Sequence, residues 1–139
     1  MADLEQATDH YLRARVVHSA VERVLAQGRK VHGMATAKER FDQAEWSTIG
    51  NEATTMHAML IDLLRQHDHH ALLDPEDDKD ELRALDRIKR VAQVSGLFEP
   101  EAFMGNLQIV ALLEAKASAQ VRSALKDLTD LQLAWMPLD

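Results

Sequence analysis

"LLRQHDHHALLDPEDDKDEL", from Leu63 to Leu82, holds the boundary that organises the whole chain. Its left half closes an apolar stripe of helical spacing, and its centre, Asp74-Pro75, opens another. Aspartate is a good helix N-cap and proline suits the first helical position. Glu76, Asp77 and Asp78 then lie where the positive end of a helix dipole favours carboxylates. One helix therefore ends before Asp74 and the next begins there. "QHDHH", Gln66 to His70, becomes the last turn of the earlier helix, where imidazoles suit the dipole and bond the terminal carbonyls. On this reading the three histidines are helix-end residues rather than a ligand set. The acidic run after them lacks the ordered oxygen ligands and turn glycine of an EF-hand loop, so it too marks a helix start.

Working outward, the same punctuation recurs. Upstream, Ile49, Ala53, Met56, Leu60, Leu63 and Leu64 share one helical face. Phe41 and Ala44 point elsewhere on the wheel. The segment therefore either breaks near Ser47 to Gly50 or rotates from one partner to another. The favoured reading is one long, kinked helix from 37 to about 70, opened by a capping box of Thr36 and Glu39. Before it, Leu4, Ala7, Tyr11, Ala14, Val17, Val21, Val24 and Leu25 recur helically from Asp3 to Gln27, with Gly28 and Gly33 bracketing a helix stop. Downstream, Leu82, Leu85, Ile88, Val91 and Ala92 carry a helix to about Ser95, which Gly96 ends. Pro100 opens the last helix, with Phe103, Leu107, Val110, Ala117, Val121, Leu125 and Leu128 inward to about Leu131.

Four amphipathic helices with short connections predict an all-α fold, an antiparallel four-helix bundle, or five helices if the second breaks near Gly50. Residues 1–139 read as a single helical domain, with 133–139 as a short C-terminal tail. Composition agrees. The chain is 46% hydrophobic and 28% charged, a globular balance, and its Gly 5 and Pro 3 are few for a sandwich or barrel.

A net charge of −7 excludes broad nucleic-acid binding, which needs basic charge against phosphate. With no cysteine, disulfides, thiolate metal sites and cysteine nucleophiles are excluded. No apolar run approaches the ~18 residues of a membrane span, and the first residues lack a signal-peptide pattern. A cytoplasmic protein is expected. No phosphate loop, nucleophile elbow or zinc-protease motif occurs, so catalysis is not expected.

Chemistry concentrates where polar residues fall on apolar faces. His10 and His18 lie within the apolar face of the first helix, with Glu22 flanking it. Glu114 sits near the centre of the last helix's stripe, and His67 aligns with Leu60, Leu63 and Leu64. A buried carboxylate needs a partner or takes up a proton. Two expectations follow. Either Glu114 pairs with His18, His10 or an arginine and sets register, or His10, His18, Glu22, His67 and Glu114 converge on a transition metal ion in the bundle core. The Glu-x-x-His pairs of di-iron bundles are absent, so no cofactor is the leading expectation.

Association is the other theme. Trp135, Met136 and Leu138 in the tail, with Trp46, are candidate partner-binding anchors. The last helix outruns the one before it, so part of its stripe should be uncovered in a monomer, which implies a homodimer or a binding groove. The acidic surface suits a basic protein partner. The leading expectation is a small, non-catalytic interaction protein (an adaptor, inhibitor or immunity protein, or assembly chaperone). The alternative is a metal-binding helical bundle.

Overall fold

The computed structural model describes residues 2–90 and 99–134. The described residues are all-helical: α1 (Ala2–Thr36), α2 (Gln43–Gln66), a 3-10 turn at His69–Ala71, α3 (Lys79–Arg90) and α4 (Pro100–Ala134). Four helices pack together. Val91, Ala92, Ser95 and Gly96 lie outside the described residues, as does the tail from 135.

α1 does not stop at Gly28 or Gly33 but continues to Thr36. Gly28 is buried, and a Cβ built there would lie 2.6 Å from Leu107 Cδ1 and 3.3 Å from Met56 Cε. The glycine serves close packing against α4 and α2, not termination. Thr36 is likewise no N-cap. Its hydroxyl donates to the His32 carbonyl at 2.8 Å, inside the last turn of α1.

The capping box lies six residues later. Glu45 N–H donates to Asp42 Oδ1 at 2.8 Å, and Asp42 N–H donates to Glu45 Oε1 at 3.1 Å. Phe41 therefore precedes α2, and its ring packs against Trp46 at a tilt of 57° with centroids 4.9 Å apart, a hydrophobic staple across the cap. This accounts for the apparent phase shift: Phe41 precedes the helix, and Ala44, though on α2, is exposed off its buried face. α2 then runs unbroken through Gly50, which removes the break that would have made a fifth helix.

The boundary at Asp74 stands, with a different start. Asp74 Oδ1 accepts from the N–H groups of Glu76 and Asp77, both at 2.8 Å, and Asp78 Oδ2 accepts from Asp74 N–H at 2.8 Å. Residues 75–78 form this turn, and α3 begins at Lys79. Leu82, Leu85 and Ile88 face inward as expected.

α1 is the axis of the assembly. Along α4 its contacts run in the opposite sense, with Gly28 against Leu107, His18 against Glu114, and Asp3 and Ala7 beside Asp127 and Leu131. Along α2 they also oppose: Gln27 reaches Glu52, and Val17 and Val21 lie beside Leu63 and Leu64. One core joins Val21, Val31, Ile49, Met56, Leu60, Leu64, Leu85, Val110 and Leu113. It begins at Val17 in α1 and ends at Ala117 in α4.

Beyond those limits α1 and α4 pack mainly on each other among the described residues, with Gln120 still reaching the Ala71 carbonyl. At 1.5 Å per residue they form a two-helix arm about 20 Å long. Ala14, Ala124 and Leu128 are buried along it, but Leu125, expected inward, is 45% exposed, with no third helix over it among the described residues.

The glycines provide a test. A Cβ at Gly33 meets nothing within 4 Å. Gly33→Ala should therefore raise unfolding free energy by ~0.5–1 kcal/mol through helix propensity alone. Gly28→Ala should give no such gain, because Leu107 must move. Urea midpoints of the two variants measure the contrast.

Candidate functional site

Among the described residues, two groups of side chains gather metal-binding atoms within 4.8 Å of one another. The first was legible in the sequence. One turn apart on α1, His18 and Glu22 face Glu114 across the seam with α4. His18 Nε2 lies 3.0 Å from Glu114 Oε1 and 3.4 Å from Glu22 Oε1. His18 and Glu114 are partly buried and Glu22 is exposed. Carrying its proton on Nε2, the imidazole donates to Glu114 and ties α1 to α4. Without that proton the same nitrogen and two carboxylates form a three-atom ligand set.

The second group was missed. His69 and His70 do not sit in the last turn of a helix. α2 ends at Gln66, His67 caps it in extended conformation, and the two histidines occupy the 3-10 turn whose N-cap is Asp68. Asp68 Oδ1 accepts from His70 N–H at 3.0 Å, which fixes the turn. Both imidazoles then reach one oxygen of Asp86 on α3: His69 Nε2 at 2.8 Å and His70 Nε2 at 2.9 Å from Oδ1. Their rings are 4.5 Å apart. Hydrogen bonding by His70, then by His69, holds the Asp86 carboxyl below its ordinary pKa against the opposing effect of desolvation. His69 is 3% exposed, whereas the His70 side chain is 53% exposed. His69 Nδ1 is buried without a hydrogen-bond partner. The signal for this site was present as adjacent histidines, but nothing in the spacing named Asp86, which lies 16 and 17 residues further on.

The remaining candidates belong to neither group, although His67 lines a small cavity beside His69. His10 is exposed on the arm, two turns before His18, so the expectation that it faces the core fails. It falls on the arm, where no other helix covers it among the described residues. His67 is half-buried and lines a cavity of about 10 Å³ with Val17, Val21 and Leu72. Trp46 is 41% exposed and lines an apolar hollow with Ala35, Pro100 and Met104. Trp135, Met136 and Leu138 lie outside the described residues.

No family model, no curated protein and no solved structure matches the chain. No described helix is long and apolar enough to cross a membrane.

His57 generates a pH prediction. Desolvation lowers its pKa below the ordinary histidine value, and its Nε2 is buried without a partner. The unfolded chain therefore takes up a proton at this residue that the folded chain resists. Stability is full above the unfolded pKa of about 6.5 and falls as pH drops through and below it. Urea unfolding at pH 7.5 and pH 5.5 should show that fall, and His57→Leu should reduce it.

Proposed function

We propose that the chain is a small, non-catalytic, cytoplasmic interaction protein that works as a homodimer and offers an acidic surface to a basic partner protein, as an adaptor, inhibitor or assembly chaperone does. One observation carries the reading: a stripe along the outer face of α1. Glu5, Asp9, Leu12, Val16, Ser19 and Arg23 follow at alternating steps of four and three, and all are exposed. That is the spacing of a helix–helix seam. Leu12 and Val16, 51% and 59% exposed, stand about 160° around the helix from Ala14, away from α4.

The stripe is complementary to itself. Laid antiparallel about residue 14, Leu12 of one copy meets Val16 of the other, and Glu5 of one meets Arg23 of the other. Such a two-fold contact is self-closing. Neither Glu5 nor Arg23 forms an ion pair within its own chain among the described residues. At the arm's tip Asp3, Asp127 and Asp130 line a shallow groove with Ala7 and Leu131, which suits steering of a basic partner. The opposed runs of contact along α1 support the finer arrangement, an antiparallel four-helix bundle within each copy.

A second reading, the metal-binding bundle, is supported by the His18, Glu22 and Glu114 ligand set, which brings together three of the five residues expected to converge.

Sedimentation equilibrium at about 10–300 μM tests the dimer in the range where modest interfaces populate. Val16→Glu should shift the chain to monomer. Glu5→Arg and Arg23→Glu should each weaken association, and the double exchange should restore it. A wild-type monomer throughout, or a dimer indifferent to all four variants, would overturn the proposal.

A further inference from the structure

We propose that His69, His70 and Asp86 form a zinc site. Two imidazole nitrogens and one carboxylate oxygen are a ligand set suited to Zn2+, and three protein ligands leave a fourth tetrahedral position for water. The three atoms already converge, at 2.8 and 2.9 Å from the shared Asp86 Oδ1. Zinc bonds of about 2.0–2.1 Å place tetrahedral ligand atoms about 3.3 Å apart, so the group has to open by about half an ångström. His70 is exposed and can swing by that amount, while buried His69 stays fixed as the anchor. The open position falls on the His70 side, where solvent reaches.

The ionisation states suit the ion. An aspartate supplies a carboxylate throughout the neutral range. Both imidazoles must present an unprotonated Nε2 to the ion, a neutral ring doing so by carrying its one proton on Nδ1, so protons compete with Zn2+ and binding weakens as pH falls. In His69 that proton then sits on Nδ1, which has no acceptor. Metal-bound histidines ordinarily donate that proton to a supporting group, and its lack weakens affinity by about 10- to 100-fold. The site is therefore one of moderate affinity. Its ligands come from the turn after α2 and from the middle of α3, so the ion clips α3 onto the turn.

The group at His18 differs in kind. It offers one imidazole and two carboxylates, with Glu22 exposed, and lies on other helices. Separate variants therefore assign any bound metal to one place.

The test is Zn2+ and Co2+ titration of the full chain, purified without a histidine tag. The expected result is one ion per chain, with Co2+ giving the visible absorption of a four-coordinate ion. His70→Ala and Asp86→Asn should each weaken binding by more than ~10-fold, and His18→Ala should leave it unchanged. Circular dichroism controls for folding: His70 is exposed and asparagine matches aspartate in shape, so both variants should keep the wild-type helix content. No uptake by the wild-type chain would overturn the site. So would binding that survives both variants, or binding lost only with His18→Ala.

Discussion

Close approach of α1 to α4 at Gly28 is the constraint on which the other contacts depend. Leu107 and Met56 occupy the space a side chain would need, so α1 lies against α4 and α2 at one point. From there, the opposed direction of α1 and α4 decides which residues meet. Ten residues back along α1, His18 arrives opposite Glu114, and the pair is joined across the seam. A core of Val21, Val31, Met56, Leu60, Val110 and Leu113 fills the space on either side of the glycine. Burial of such side chains stabilises by about 1.5–3 kcal/mol each, far more than any single polar contact on the surface. Apolar packing thus holds the helices, and the polar pairs select among the registers that packing allows.

Helix lengths decide where the surface is left uncovered. α1 and α4 have 35 residues each, whereas α2 has 24 and α3 has 12 described residues. A third layer therefore stops partway along the long pair. Near that limit Gln120 donates to the Ala71 carbonyl at 2.9 Å, and Lys116 approaches Asp78 at 3.6 Å. Past it the arm has one buried seam and two solvated flanks, which is why Ala124 is buried while Leu125 is not.

Much of this was legible in the residues, and the failures have particular causes. Helical class, the Asp74 boundary, Pro100 as a helix start and the inward faces of α2 and α3 all follow from local pattern. Gly28 misled because a packing glycine and a stop glycine look alike until the neighbour, Leu107, is known. Thr36 and Asp42 each stand three residues before a glutamate, and only the bonds at Asp42 distinguish the true cap. His18, Glu22 and Glu114 were found because each interrupts or flanks an apolar face. His69 and His70 were discounted because their partner lies on another helix. Such a contact leaves no trace in helical spacing.

The seam between α1 and α4 also orders events in time. His18 and Glu114 are 96 residues apart in sequence, and the contacts toward the arm's tip span still more chain. Closing a loop of that length has an entropic cost that only the core can offset, so the middle must assemble before the arm zips outward from it. Opening should run the other way. Amide hydrogens near Ala7 and Leu131 then exchange through local fraying, while those around Val21 and Val110 exchange only when the whole molecule unfolds. The arm is in effect a zipper that closes outward from the core and opens from its free end.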